Sequence, residues 1–216
     1  MKVLNYLGLA LIGLFAACSS KSSKEKIDIY VTPFYNSTPL QINIGKYSER
    51  LMSESPKQML KLADEIKGCI DEVDAATLYV LAIRLYNLGK KDDAVYWFYN
   101  AQFRKRIFLH MAIGLSPSGA PAALDAFQKL SGQWINGYAF GHPDKLIAVL
   151  EQIIIDVQHM RYIEKAYPDY DFKPESEQVK EVGLQIEGLR EMIKYIDENR
   201  DEIKQKRKEN GVEGKY

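Results

Sequence analysis

The chain has 216 residues, of which 46% are hydrophobic, 27% are charged and 11% are aromatic. This composition excludes a disordered tail, a collagen-like fibre and a small disulfide-dense protein. Because 29 Lys and Arg residues are balanced by 29 Asp and Glu residues, the chain has no excess positive charge to attract nucleic acid, which is not an expected partner.

Residues 1–17 have the pattern of a secretory leader. Lys2 precedes an uncharged apolar stretch over residues 3–17, which ends in the small residues Ala16 and Ala17. As a helix, this stretch would span about 22 Å, whereas the hydrocarbon core of a bilayer is roughly 30 Å thick. The pattern therefore favours a removable signal peptide over a membrane-spanning anchor.

Cys18 directly follows the two alanines, in the segment Phe15-Ala16-Ala17-Cys18. This segment resembles the lipobox of bacterial lipoproteins, although Phe15 stands where that family prefers Leu, Val or Ile. The resemblance implies that Cys18 becomes the lipidated first residue of the mature chain, carrying acyl groups such as palmitate. It also implies a place in the bacterial cell envelope, in the outer membrane facing the periplasm. The alternative is ordinary cleavage after Ala17, with Cys18 incidental.

Cys69 is the one cysteine left once Cys18 is assigned to the lipid, so the mature chain cannot form an internal disulfide bond. It continues a stripe of apolar residues at helical spacing that includes Met59, Leu62, Ile66 and Val73. The pattern predicts a buried core thiol rather than a redox site.

Two segments precede the predicted helical domain. Residues 18–26 are small, polar and charged, which is typical of a flexible tether behind a lipid anchor. Residues 27–54 are predicted to be an extended arm, because residues 27–31 and 40–44 alternate between apolar and polar side chains. This arm could form a two-stranded ribbon or wrap over the helices.

Residues 55–216 are predicted to form an all-α domain, an irregular stack of antiparallel helical hairpins. Start and stop signals predict helices over residues 56–70, 74–88, 92–113, 121–137, 143–166 and 176–208. The last helix is the longest, and its apolar residues keep a heptad spacing up to Ile196. It could pack across the hairpins or pair with another protein.

One predicted hairpin, over residues 76–101, has a distinctive pattern. Small residues would let its two helices approach closely, larger apolar residues would fill the space between them, and a glycine would close the turn. The residues of this pattern are Leu78, Leu81, Ala82, Leu85, Gly89, Ala94, Phe98 and Ala101. This pattern resembles a single tetratricopeptide repeat. The match covers about one unit, so the sequence indicates a repeat-like hairpin and not an array.

The resemblance implies that the first helix of this hairpin presents a ligand-facing side with Tyr79, Ile83, Tyr86 and Asn87. Their spacing puts these four residues on one helical face, and exposed tyrosines beside an amide would suit a bound peptide. The alternative is inward packing, because a single hairpin must bury this face against a neighbouring helix.

A second candidate partner surface lies in the following helix. Tyr99 and Phe103 are one turn apart and stand beside Arg104, in the basic run Arg104-Lys105-Arg106. The pattern predicts either an interaction surface or packing against the N-terminal arm.

The sequence offers no recognisable catalytic constellation. No two of His110, His142 and His159 have the spacing of a helical metal site, so no metal or cofactor is expected. The segment Gly114–Ser118 lacks the final glycine and the preceding strand of a nucleophile elbow.

Three functional hypotheses follow for a lipid-anchored helical protein of the envelope. The first is a non-catalytic scaffold or adaptor that binds another envelope protein. The second is an immunity lipoprotein that neutralises a secreted toxin in the periplasm. The third is an enzyme that acts on peptidoglycan or lipid, and it is the least favoured.

Overall fold

The computed structural model describes residues 45–53, 55–161 and 163–216. In these residues the chain forms eight α-helices: α1 (Ser48–Leu51), α2 (Pro56–Gly68), α3 (Ala75–Asn87), α4 (Lys91–Met111), α5 (Ala120–Ala139), α6 (Pro143–Val157), α7 (Glu175–Glu198) and α8 (Arg200–Glu209). No strand occurs in the described residues, where a single antiparallel bridge joins Ala112 to Phe172. The prediction of an all-α stack of helical hairpins is confirmed.

The first two long helices begin where their capping residues predict. The Ser55 side chain accepts a hydrogen bond from the Gln58 backbone N–H at 3.3 Å, and Pro56 occupies the first turn of α2. The Asp74 carboxylate accepts one from the Thr77 N–H at 2.9 Å. These side chains satisfy N–H groups that the first turn of a helix leaves unpaired.

The hairpin of α3 and α4 forms the most extensive helix pair in the fold. Its contact residues Ala82, Ala94 and Ala101 are fully buried, as are the larger Leu85 and Phe98 that fill the remaining space. Gly89 closes the turn with φ +78°, a conformation that a residue with a Cβ rarely adopts. The close antiparallel approach expected from the small residues is therefore present.

Helix α4 lies at the centre of the domain. Helices α3, α5, α6 and α7 all pack against it, so it is buried on most of its circumference. The buried set of α4 includes polar residues, among them Asn100, Arg104 and Lys105, in addition to apolar ones. The core therefore follows α4, and the remaining helices are arranged around it.

Helices α5 and α6 do not end where the sequence predicts. Helix α5 continues through Asn136 and Gly137 to Ala139, because the Asn136 side chain bonds to Tyr99 instead of capping the helix. Helix α6 ends at Val157 and not near residue 166. After that end, the buried Gln178 side chain accepts a hydrogen bond from the Ile163 N–H at 3.2 Å and holds the irregular segment in place.

The long helix predicted over residues 176–208 is two helices, α7 and α8, separated at Asn199. The Asn199 side-chain amide donates to the Tyr195 carbonyl at 2.8 Å, and the Asn199 backbone N–H donates to the same carbonyl at 3.1 Å. An Asn side chain that bonds to nearby backbone competes with the regular helical pattern, which explains the interruption.

The described part of the predicted extended arm is helical. Residues 45–51 form a short turn and α1, with Tyr47 and Leu51 four residues apart and both buried in the core. Cys69 is half-buried, because α2 ends one residue before it. Its thiol forms no disulfide bond, and its Sγ lies 3.3 Å from the Tyr47 hydroxyl. The leader, Cys18, the tether and residues 27–44 lie outside the described residues.

Candidate functional site

A groove runs along α4 on the side where α7 packs against it. The α4 groove has an empty volume of about 370 Å³, part of it open to solvent, and is lined by Tyr99, Gln102, Phe103, Arg106, Gly188, Leu189 and Met192. It is a concave surface in the central part of the domain.

The α4 groove has an aromatic floor, and a glycine leaves space above it. Tyr99 and Phe103 are one turn apart on α4, and both are almost fully buried. On α7, Gly188 contributes no side chain, and a Cβ at this position would meet no atom within 4 Å. The groove therefore remains open on the α7 side.

An exposed leucine adjoins the α4 groove on α7. Leu184 is 56% exposed and precedes Gly188 by one turn on the same helical face. Aromatic and aliphatic surface next to an arginine is typical of the energetically dominant parts of protein interfaces.

The charge inside the α4 groove is carried by Arg106. Its side chain is exposed, and no described residue forms an ion pair or a hydrogen bond with its guanidinium. Two carboxylates of α7 have other partners, since Glu181 contacts His110 Nδ1 at 2.6 Å and Glu187 is paired with Arg190. The groove thus presents an available positive charge beside an apolar floor.

A second recess lies at the end of the α4 groove, between the C-terminal half of α5 and α8. This α5–α8 recess has an empty volume of about 660 Å³, including space open to solvent, and its lining includes Asn136, Gly137, Phe140, Ile203, Arg207 and Tyr216. The Tyr99 hydroxyl donates to Asn136 Oδ1 at 2.9 Å, which joins the floor of the groove to the wall of the recess.

The predicted ligand-facing residues of α3 pack inward. Tyr79 and Ile83 are fully buried, and the Tyr79 ring contacts Phe98 and Phe127 at centroid distances of 5.8 and 6.4 Å. Helix α5 covers this face, as the inward-packing alternative requires.

The end of α3 is also enclosed. Tyr86 is 6% exposed, with Lys91 Nζ 5.3 Å from its ring centroid, and burial together with the nearby Tyr216 and Tyr138 raises its pKa to about 12. Asn87 is half-buried at the end of α3. The four α3 residues therefore do not line the α4 groove.

The three predicted residues of α4 are divided between two faces. Tyr99 and Phe103 form the floor of the α4 groove, and burial raises the pKa of Tyr99. Arg104 points away from the groove and is 2% exposed, with Nη2 3.2 Å from Asp71 Oδ1 and Nε 3.0 Å from Asn100 Oδ1. Burial lowers the pKa of Arg104, an effect that Asp71 opposes.

A row of polar contacts continues from Arg104 along this second face of α4. Tyr96 receives a 3.4 Å hydrogen bond from Asn100 and donates a 2.6 Å bond to Asp156 on α6, while Lys67 on α2 lies 3.1 Å from the same carboxylate. Burial raises the pKa of Asp156, but the hydrogen bonds from Tyr96, Gln152 and Lys67 outweigh it and lower the pKa. This polar row fastens α2 and α6 to α4.

Gly188 and the α5–α8 recess were not identified as site features from the sequence. Arg106 was included only as one member of the basic run beside Tyr99 and Phe103. The spacing of Gly188 and Met192 on one face of α7 was a detectable signal, but it identifies a groove only once α7 is known to pack on α4.

The described residues contain no cluster of three or more His, Cys, Asp and Glu side chains arranged to hold a metal ion. Among the described helices, none combines the length and the hydrophobicity that crossing a bilayer requires.

Neither a protein-family model nor a solved structure matches the chain. An uncharacterized protein of Haemophilus influenzae is 28% identical to it over 152 residues. The alignment covers 66% of this chain and 58% of the relative, so the chain spans less than two thirds of that protein's length.

Proposed function

We propose that this chain is a lipid-anchored protein of the bacterial cell envelope that binds another protein in the α4 groove and acts as a non-catalytic scaffold or adaptor. The observation that carries the binding role is the groove itself, in which the available guanidinium of Arg106 lies beside the aromatic floor of Tyr99 and Phe103. The resemblance of residues 15–18 to a lipobox supports the anchored location.

The lining of the α4 groove specifies the chemistry of the partner segment. Its apolar floor would accept an aliphatic or aromatic side chain, and the exposed Leu184, one turn from Gly188, would extend the apolar contact. Arg106 would pair with a carboxylate next to that side chain. We therefore propose a protein segment in which an apolar residue is followed or preceded by Asp or Glu.

Gly188 provides a test that separates blocking of the groove from general disturbance of α7. A Gly188→Trp substitution places a large ring in the open space of the groove, whereas Gly183→Trp places the same ring on an exposed part of the same helix, where a Cβ also meets no atom within 4 Å. Both tagged lipoproteins are crosslinked in their own cells, and the captured proteins are identified by mass spectrometry.

We expect the unsubstituted chain and Gly183→Trp to capture the same envelope or secreted protein, and Gly188→Trp to lose it. Arg106→Glu should lose the same partner, because it would repel the proposed carboxylate. Equal capture by all four chains would exclude the α4 groove as the binding site.

The identity of the captured protein distinguishes the two biological roles of a binding lipoprotein. A stoichiometric component of the envelope would establish an adaptor. A toxin delivered by a rival strain would establish an immunity role in its place.

A further inference from the structure

The α5–α8 recess has features of a site for a small molecule, separate from protein binding in the α4 groove. Its surface is mainly apolar, with Phe140, Ile203 and Val212 among its lining residues. Its empty volume is about 660 Å³, which includes space open to solvent. The apolar body of a ligand would be excluded from water there.

Two glycines near the end of α5 allow the wall of the recess to form. A Cβ on Gly137 would lie 2.5 Å from the Tyr216 ring, and a Cβ on Gly141 would lie 2.8 Å from Arg207 Nη2. Both distances are shorter than real Cβ contacts, so these positions accommodate the close approach of Tyr216 and Arg207 because they are glycine. The Tyr216 ring also contacts Trp134, edge to face, with 5.9 Å between ring centroids.

Arg207 places a positive charge in this apolar wall. Its Nη1 donates to the Gly137 carbonyl at 2.6 Å and its Nη2 to the Val212 carbonyl at 3.4 Å, which fixes the guanidinium beside the recess. Across the described part of the chain, no carboxylate lies within ion-pair distance of it. Burial lowers the pKa of Arg207, an effect that the nearby Glu213 and Tyr216 oppose. Its charge is therefore partly desolvated, and no described residue is within ion-pair distance to neutralise it.

Two other polar side chains at the recess, those of Lys206 and Asn136, already have partners. Lys206 is already paired with Glu202. Asn136 uses Oδ1 to accept the bond from Tyr99. Arg207 is therefore the group that would gain most from an anion, because a charge-assisted bond is strongest where water is partly excluded.

We propose that the α5–α8 recess binds a small organic anion that consists of an apolar body and one carboxylate, with the carboxylate paired to Arg207. The body is aliphatic or aromatic, since the recess offers both Ile203 and the rings of Phe140 and Tyr216. Two water-soluble probes represent the two kinds of apolar body. Hexanoate is the aliphatic acid, and 3-phenylpropionate is the aromatic acid.

The test compares each acid with its uncharged amide on the intact chain, by isothermal titration calorimetry and by the fluorescence of Trp134. We expect at least one acid to bind about tenfold more tightly than its amide. The same acid should change the emission of Trp134, which touches the wall of the recess through Tyr216. Acetate, which lacks the apolar body, should not bind measurably.

Arg207→Gln should abolish the preference for acid over amide, whereas Arg190→Gln, at an exposed arginine of α7, should retain it. A folded Arg207→Gln protein that still prefers the acid would overturn the proposal, as would equal binding of acid and amide or no binding of either acid. If Arg207→Gln does not fold, Tyr216→Ala serves instead. This substitution opens the wall of the recess and should weaken the binding of the acid and of the amide alike. Unchanged binding of the acid to Tyr216→Ala would exclude the recess as the binding site.

Discussion

Gly89 and Gly183 are both surrounded by open space, yet their backbones differ. Gly89 turns the chain from α3 into α4 with φ +78°, whereas Gly183 lies within α7 and has ordinary helical geometry. A Cβ at either position would meet no atom within 4 Å. Any difference between substitutions at these two sites must therefore come from the backbone and not from packing.

Gly89→Ala is expected to lower the free energy of unfolding by about 1–2 kcal/mol, because alanine is disfavoured in the left-handed region. Gly183→Ala is expected to raise it by roughly 0.5–1 kcal/mol, because alanine loses less conformational freedom on entering a helix. Urea denaturation of the two variants measures both changes. Destabilisation of equal size at both positions would contradict this account of the turn.

The basic run Arg104-Lys105-Arg106 shows how far the sequence specifies the site. Arg104 is buried against Asp71 and Asn100, and Lys105 is buried with Asp125 and Gln128. Arg106 is exposed in the α4 groove. Sequence reasoning indicated an interaction surface near this run but selected Arg104. Three consecutive helical residues point in different directions, and on a helix with neighbours on most sides only the packing shows which direction is open.

The contacts between elements explain why the pairing of α3 with α4 could be predicted from the sequence and the packing of α7 on α4 could not. The α3–α4 hairpin has small residues at regular spacing and a glycine in its turn, which are local signals. By contrast, α7 is far from α4 in sequence and is held to it by contacts such as His110 with Glu181. The break at Asn199 was also not predictable from the sequence. It results from the hydrogen bond of the Asn199 side chain to the Tyr195 carbonyl, and the presence of an Asn residue does not by itself show that this bond forms.

The bond between Tyr96 on α4 and Asp156 on α6 makes the attachment of α6 dependent on pH. The pKa of Asp156 is lowered in the folded chain, so its contribution to stability is present above the unfolded value near 4 and is lost as the pH falls through the lower folded value. At neutral pH the carboxylate is ionised and accepts the hydrogen bond from Tyr96.

Tyr96→Phe is expected to reduce the free energy of unfolding by about 1–2 kcal/mol at neutral pH, through loss of this charge-assisted bond. The difference from the unsubstituted chain should shrink as the pH falls from about 7 to about 3, because protonated Asp156 no longer gives the bond its extra strength. Urea denaturation of both proteins at the two pH values measures this difference in the free energy of unfolding.

Tyr170→Phe provides the matched control for this experiment, since Tyr170 is 38% exposed and contacts Phe108 through its ring. Its substitution should change the free energy of unfolding little at either pH. A cost of Tyr96→Phe that stays the same at both pH values would show that the charge of Asp156 is not involved.

At the scale of the whole molecule, the helical domain and the proposed anchor lie in separate parts of the chain. The periodicity of the sequence was sufficient to predict an all-α hairpin stack, because amphipathic helices must bury their apolar faces together. It could not locate the α4 groove, which exists because α7 packs on α4 although the two helices are far apart in sequence. The proposed anchor depends instead on the local pattern around Cys18, which packing does not affect.

The two cysteines allow this anchor to be tested with a matched pair of substitutions. If Cys18 is lipidated, its acyl chains hold the protein on the membrane, because each buried methylene contributes about 0.8 kcal/mol. Cys18→Ser should therefore move the protein from the membrane fraction to the soluble fraction. Cys69→Ser removes the half-buried thiol beside Tyr47 and should leave the protein on the membrane. Fractionation and immunoblotting measure both distributions, and a Cys18→Ser protein that still sediments with membranes would refute lipid anchoring at this residue.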